Sequence, residues 1–282
     1  MFFWIYDIPT WSLVAIVTSV FVGFAWLGTL LVRPLLRLTV RGEHDENQVV
    51  STALSSHGLF YGILLGLLAV TAYQNYAAVT DTSAREAASL AALYRDVSAY
   101  PEPPRCALQA QLREYTRFVI EEAWPLQRRG IVPVGGTTRF SVFHKELTAF
   151  EPVTPGQEIL HAEALHQFNQ MVEIRRLRLN SVSTGIPNVL WYVVVLGAVV
   201  NIMLMWLLDM RLIAHLFLGG CLAFFVGAVI SLVAAMDYPY RGEVSVGPDA
   251  FQLVYESLMQ PSEGGLPGSH DDGCGRVLPE GT

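Results

Sequence analysis

The order of apolar and polar positions divides the chain into four long oily runs and the stretches between them. The runs are Thr10–Val32, His57–Val79, Ile186–Leu208 and Leu212–Met236. Each matches the roughly 20 residues a helix needs to cross about 30 Å of hydrocarbon, so the pattern predicts four transmembrane helices. The second run does not end where its hydrophobicity does. It opens as HGLFYGILLGLLAV and passes without proline into DTSAREAASLAALYRD, until PEPP (Pro101–Pro104) ends it. One helix over 57–100 would be about 66 Å long at 1.5 Å per residue, with about half of it beyond the bilayer as a stalk. Ala84, Ala87, Ala88, Ala91 and Ala92 gather on one side with Leu90 and Tyr94, while Arg85, Glu86, Arg95 and Asp96 take other positions. That predicts a close-packing face and a wet face.

Helical spacing continues between the second and third runs. Cys106–Arg129 reads as one helix, GIVPVGG breaks it, and Thr137–Phe150 is a shorter one. Gly156–Ser183, opening after Pro155, carries Leu160, Leu165, Phe168, Val172, Leu177 and Leu179 at helical spacing. Pro187 suits the first turn of the third span. Asp209-Met210-Arg211 is a tight turn into the fourth. Asp237, Pro239 and Gly242 supply turn chemistry where the fourth span ends. The segment beyond, where Val244 and Val246 alternate, reads either as a plain terminator or as an element that docks back on the insert. The chain thus divides into a first transmembrane helix with a short basic loop (1–56), a second extended into a stalk (57–100), a helical insert (101–185), a hairpin of spans three and four (186–236), a docking segment (237–260) and a Gly-, Pro- and Asp-rich tail predicted to be disordered (261–282).

Composition sharpens this picture. Only 15% of residues are charged, against about 25% in a soluble domain. The stretch MFFWIYDIPT has no Lys or Arg, and Arg33 follows a run longer than a signal core, so the first span reads as a retained anchor. Trp11, Trp191 and Trp206 stand where interfacial aromatics belong. The net charge of −7 is localised: residues 80–185 hold twelve basic and twelve acidic side chains, whereas eight acids and two arginines follow from Asp237 onward. That distribution argues against a nucleic-acid partner. Cys106, Cys221 and Cys274 have no metal-ligand spacing and read as free thiols, with one disulfide open to any two that face an oxidising side. His161 and His166, five apart, do not share a helix face as a zinc motif requires. Glu121-Glu122 and Asp45-Glu46 read as solvated, and neither a phosphate loop nor a nucleophile elbow is present. The expectation is a protein that is not an enzyme, with no cofactor and no metal.

Small residues recur every four positions in two spans: Gly58, Gly62 and Gly66 in the second, and Gly219, Ala223, Gly227, Ser231 and Ala235 in the fourth. Such stripes let helices approach closely in lipid, either within one chain, between subunits or along a narrow pore wall. Polar groups inside the spans are few. Thr71, Asn75, His57 and His215 lie near ends or to one side, and Asn201 is deep in the third, suited to an interhelical hydrogen bond or to function. No span carries Lys, Arg, Asp or Glu in its middle, which argues against a proton-coupled transporter.

Several motifs fall in order along residues 10–258: HGLFYG, REAASLAALYR with Arg85 and Glu86, EEAWP with Trp124, LTAFEPVTP, RRLRL with Arg175 and Arg178, GIPNVLW with Pro187 and Trp191, and DYPYRGEVSVGPDAF with Asp237, Pro239 and Gly242. Together they resemble the bestrophin-like family of bacterial four-span membrane proteins. The resemblance implies an all-α membrane protein of bestrophin-like architecture, a homo-oligomer in a bacterial cytoplasmic membrane, and ions as the conducted species. The stripes and polar positions of the long spans make Gly58, Gly62, Gly66 and Thr71 the candidates for a pore wall, with Asn201, Gly219 and Gly227 as pore or packing positions. The alternative is a non-conducting membrane scaffold or sensor whose insert binds a partner or ligand. Arg33, Arg37, Arg41 and Arg211 in short loops place the insert outside the cytoplasm. Bestrophin architecture, and Arg175, Arg176 and Arg178 before the third span, favour the opposite side.

Overall fold

A computed structural model describes residues 3–39 and 44–260 of the chain. Among the described residues the regular structure is helical: α1 (Thr10–Thr39), α2 (His44–Ser98), α3 (Pro104–Phe118), α4 (Trp124–Arg128), α5 (Gly135–Thr148), α6 (Pro155–Asn180), α7 (Asn188–Trp206), α8 (Leu212–Met236) and α9 (Asp249–Val254). Four of these, α1, α2, α7 and α8, are long and apolar enough to cross a membrane. Two compact units emerge, one built from residues 1–77 and 184–245, the other from 78–183 and 246–282. The helix α2 supplies residues to both.

In the first unit α1 and α8 pack closely along their length. A Cβ on Gly227 would sit 3.0 Å from the Thr18 Cα, and Ala223 and Ser231 are fully buried beside it. The small-residue line of α8 is therefore consumed inside the chain. A Cβ on Gly28 would overlap the Trp206 ring. Trp206 is itself buried and donates its Nε1 hydrogen to the Ala25 carbonyl at 3.1 Å. It is a packing residue between α1 and α7, not the interfacial aromatic that its place near a span end suggests. Tyr61, Leu65, Leu68 and Ala72 of α2 meet Val194 and Ala198 of α7 and Val226, Ile230 and Val233 of α8.

The ends of the first two helices differ from expectation. Helix α1 continues through Pro34 to Thr39, and α2 begins at His44, so most of the basic loop and the stretch up to Ser56 are helical. Ser51, Thr52, Ser55 and Gln48 are polar without being helix breakers, and the hydroxyls of Thr52 and Ser55 bond back to carbonyls one turn earlier. At 55 residues α2 is about 82 Å long. Pro187 stands at the N-cap of α7, one residue before the first turn. Arg33, 5% exposed, donates to the Met210 carbonyl and pairs with Asp209 at 3.4 Å, holding the α7–α8 turn against the end of α1.

In the second unit Pro104 opens α3 and Thr154 caps α6, its hydroxyl accepting from the Gln157 amide. The helix expected over 106–129 is present but interrupted by a π turn at Val119–Ala123. That turn delays the repeat, so Trp124 and Gln127 face inward with Leu112 and Tyr115. Cys106 is in a disulfide and Cys221 is free, which corrects the reading of three free thiols; Cys274 lies outside the described residues. The tail expected to be disordered also lies outside them.

Candidate functional site

The motif residues of the sequence gather into two buried clusters, one in each unit. In the second unit Glu86 of α2 and Arg178 of α6 form an ion pair, 0% and 1% exposed at their side chains. Arg178 Nε donates to Glu86 Oε2 at 2.5 Å and Nη2 to Oε1 at 3.2 Å. The Tyr115 hydroxyl donates to Glu86 Oε1 at 2.8 Å, and Gln127 Oε1 accepts from Arg178 Nη1 at 2.8 Å. The guanidinium carbon lies 5.1 Å from the Trp124 ring and 5.5 Å from that of Phe251. A buried pair holds its charge only when its hydrogen-bonding groups are met, and here two further polar side chains and two rings complete the shell. Arg175, one turn earlier, lies over Phe140 at 4.9 Å, in a space that a Cβ on Gly136 would close.

Trp124 carries the cluster into the last described segment. Its Nε1 donates to the Val246 carbonyl at 2.9 Å, its ring packs on buried Phe251, and the Thr116 hydroxyl donates to the Met259 sulfur at 3.3 Å. Residues 246–259 thus dock on the insert, the second of the two readings open for them. They do so through α9 and a π turn, and no strand forms at Val244–Val246.

In the first unit Asp237, 1% exposed, accepts from the Ile186 amide at 2.5 Å and from Trp191 Nε1 at 3.1 Å. Burial pushes its carboxyl up from the usual range, and these two donors oppose that shift. Tyr238 fills the space beside Gly185 and meets Tyr6 edge-on, with ring centroids 5.6 Å apart. Gly242 has φ +82°, a left-handed conformation, with Tyr6 3.5 Å from where its Cβ would be. Trp191 therefore belongs to this knot.

The pore-wall candidates lie on α2, and the structure separates them from the α8 line. Gly62 and Gly66 have no atom within 4 Å of a built Cβ. Gly58 is met only by the Asn201 side-chain oxygen, at 3.8 Å. That oxygen is buried and has no hydrogen-bond partner. Around Gly62 and Gly66 stand Leu59, Phe60, Ile63, Leu67, Val70 and Tyr73, all more than half exposed. Thr71 is exposed as well, its hydroxyl bonded back to Leu67 at 2.8 Å. At 100° per residue these positions cover about half the circumference of α2, with the glycine line along one border. No Lys, Arg, Asp or Glu occurs from Asn47 to Thr80. Intramolecular packing accounts for Gly219 and Gly227, but not for Gly62 and Gly66.

Two expectations about side chains need correction. Glu86 is fully buried, not on a wet face, and of the stalk alanines Ala87 is buried while Ala84 and Ala88 are exposed. On α6 the inward residues are Ala164, Phe168, Met171, Arg175 and Arg178; Leu177, expected inside, is 56% exposed. Tyr115 and Gln127 were not singled out from sequence. The available signal was the 4-3-4-3 spacing from Ala164 to Arg178, which puts two arginines on an otherwise apolar line.

Four membrane-length helices with this helical insert define an all-helical membrane protein of the bestrophin fold. The chain belongs to the bestrophin-like family, whose domain matches residues 19–251. It is similar to the crystal structure of a bacterial bestrophin homologue from Klebsiella pneumoniae solved by Zn-SAD phasing, with TM-score 0.61 and 10% identity over 86% of this chain and 96% of that one. A mutant of that homologue gives TM-score 0.61 and 9% identity, covering 88% and 99%. A mutant structure described as a membrane protein gives 0.60 and 8%, covering 86% and 97%. No curated protein matches the chain.

Proposed function

We propose that the chain is a homo-oligomeric ion channel of a bacterial cytoplasmic membrane, with α2 as the pore wall at Gly58, Gly62, Gly66 and Thr71. The observation that carries this reading is the open half of α2. Glycines that contact nothing within their own chain suit a wall where backbone lies bare, or the close approach of a sister subunit. The absence of Lys, Arg, Asp and Glu along the span suits passive conduction better than proton coupling. In this reading the lipid bilayer, further copies of the chain and the permeating ions are its partners, and neither an enzymatic reaction nor nucleic acid enters. The same open half is apolar and uncharged, which also suits a partner's helix. That is the alternative: a non-conducting scaffold or sensor.

Ion flux from liposomes carrying the purified protein decides between them. Wild-type protein is expected to conduct, and Gly62→Trp to abolish conduction or subunit assembly. Unchanged conduction and assembly in that variant would remove Gly62 from the wall. Wild-type protein silent across a range of pH, calcium and voltage would leave the scaffold.

A further inference from the structure

Arg175 keeps only 8% of its surface exposed, and among the described residues its guanidinium meets the Phe140 ring, 4.9 Å away, but no carboxylate or carbonyl. Arg178, one turn on, takes the neighbouring carboxylate: both Glu86 oxygens accept from it. Two buried cations therefore share one buried anion, and burying a charge is costly unless it is paired. We propose that Arg175 and the first turn of α5 form a binding site for an oxyanion of the phosphate class.

The segment GIVPVGG, which reads as a break in the sequence, runs directly into α5, so Gly135 and Gly136 are the first two residues of a 14-residue helix. The first amides of a helix have no acceptor within it and carry the positive end of its dipole. Val134, at the N-cap, supplies no side-chain cap. Backbone N–H groups set in this way bind anions. The guanidinium is aimed at the same turn: a Cβ on Gly136 would lie 3.2 Å from the Arg175 Cζ and overlap its Nη2. Glycine here is what lets the cation come so close to the helix start. Thr137 and Thr138, next along, are exposed, so the turn opens to solvent with two hydroxyls at its rim. Arg139, one turn into α5, packs over Phe118 at 4.2 Å and reaches back to the Gly135 carbonyl at 3.4 Å. Its charge is met at 3.1 Å by Glu114 of α3, a carboxylate 64% exposed at its side chain. Arg175 and Arg139 thus exceed Glu114 by one positive charge, and the helix dipole adds to it. A guanidinium presents N–H pairs in a plane that match two oxygens of one anion, which a phosphate offers and a halide does not. The site makes no use of the open half of α2, so it stands whether or not the chain conducts.

The test is isothermal titration of inorganic phosphate into the full-length protein in nanodiscs, in chloride-free buffer, with the same titration repeated using chloride. Saturable phosphate binding is expected, with a rise in the unfolding midpoint, because the ligand favours the folded insert. Arg175→Gln should weaken the binding about tenfold or more, through the loss of charge-assisted hydrogen bonds. Thr137→Asp puts a carboxylate at an exposed position of the same turn, where an acid suits the helix dipole. It should fold and abolish phosphate binding, which keeps the test decisive if Arg175→Gln does not fold. No saturable phosphate binding by the wild type, or unchanged binding in either folded variant, would overturn the site. Chloride binding as tightly as phosphate would overturn the oxyanion assignment. Neither readout involves ion flux, so a failure here is distinct from a failure of the channel reading.

Discussion

Replacing Glu86 with glutamine keeps its volume and removes its charge. Arg178 then stays in a cavity where its side chain is 1% exposed, with one amide oxygen in place of two carboxylate oxygens and an NH2 group set against its own N–H groups. Removing one partner of a buried ion pair costs about 3–5 kcal/mol, because the other charge is left uncompensated. In a helical unit of this size each kcal/mol is worth roughly 3–5 °C of midpoint, so Glu86→Gln should lower the unfolding midpoint of that unit by about 9–25 °C. Trp124 offers the readout. It is the one tryptophan of the second unit among six in the chain, and its ring stands 5.1 Å from the Arg178 guanidinium carbon. Thermal unfolding in nanodiscs can be followed through the fluorine resonance of fluorotryptophan at this position. The double variant Glu86→Gln with Arg178→Met removes both charges and should recover at least about 1 kcal/mol of the loss. A shift under about 2 °C in the single variant, or a double variant less stable than the single one, would refute the idea that charge pairing holds this core.

Three further predictions concern packing within one unit or the other. Gly28→Leu drives a side chain into the Trp206 ring and should abolish a folded first unit, whereas Gly62→Ala, which meets nothing within 4 Å, should fold as the wild type does; detergent-stable yield compares them. The raised Asp237 carboxyl means that the folded state binds its proton more tightly than the unfolded state. Its stabilising contribution should be complete below about 3.8 and fall as pH rises through the folded value, and Asp237→Asn should remove that slope from acid-range unfolding curves. Trp124→Phe loses the hydrogen bond to Val246, worth about 1 kcal/mol, so amide exchange in residues 246–259 should quicken about fivefold while α1 and α8 are unaffected.

The spans were legible because about 20 apolar residues in a row have few other uses, and the stalk because nothing in residues 57–98 stops a helix. The two small-residue lines were equally visible, but their roles were not. Sequence spacing cannot say that Thr18 lies under Gly227 while nothing lies over Gly62. Glu86 was misplaced for a related reason: hydropathy assigns a carboxylate to water, and only its distant partner Arg178 explains its burial. The inward line of α6 was hidden by the same rule, since two of its five residues are arginines. The helical start of α2 was missed because residues 44–56 are polar without a breaker, a composition that a loop or a helix can carry.

Arg33 bears on how the protein is put together during synthesis. The first span enters the bilayer early and leaves a cation near its end. The hairpin of α7 and α8 arrives much later, bringing Asp209 and the Met210 carbonyl in its turn. Inserted the right way up, the turn meets that waiting cation. Inserted upside down, it would leave its own acid on the opposite face and the arginine without its mate. The pair therefore forms only in the one topology in which the first span and the final hairpin agree.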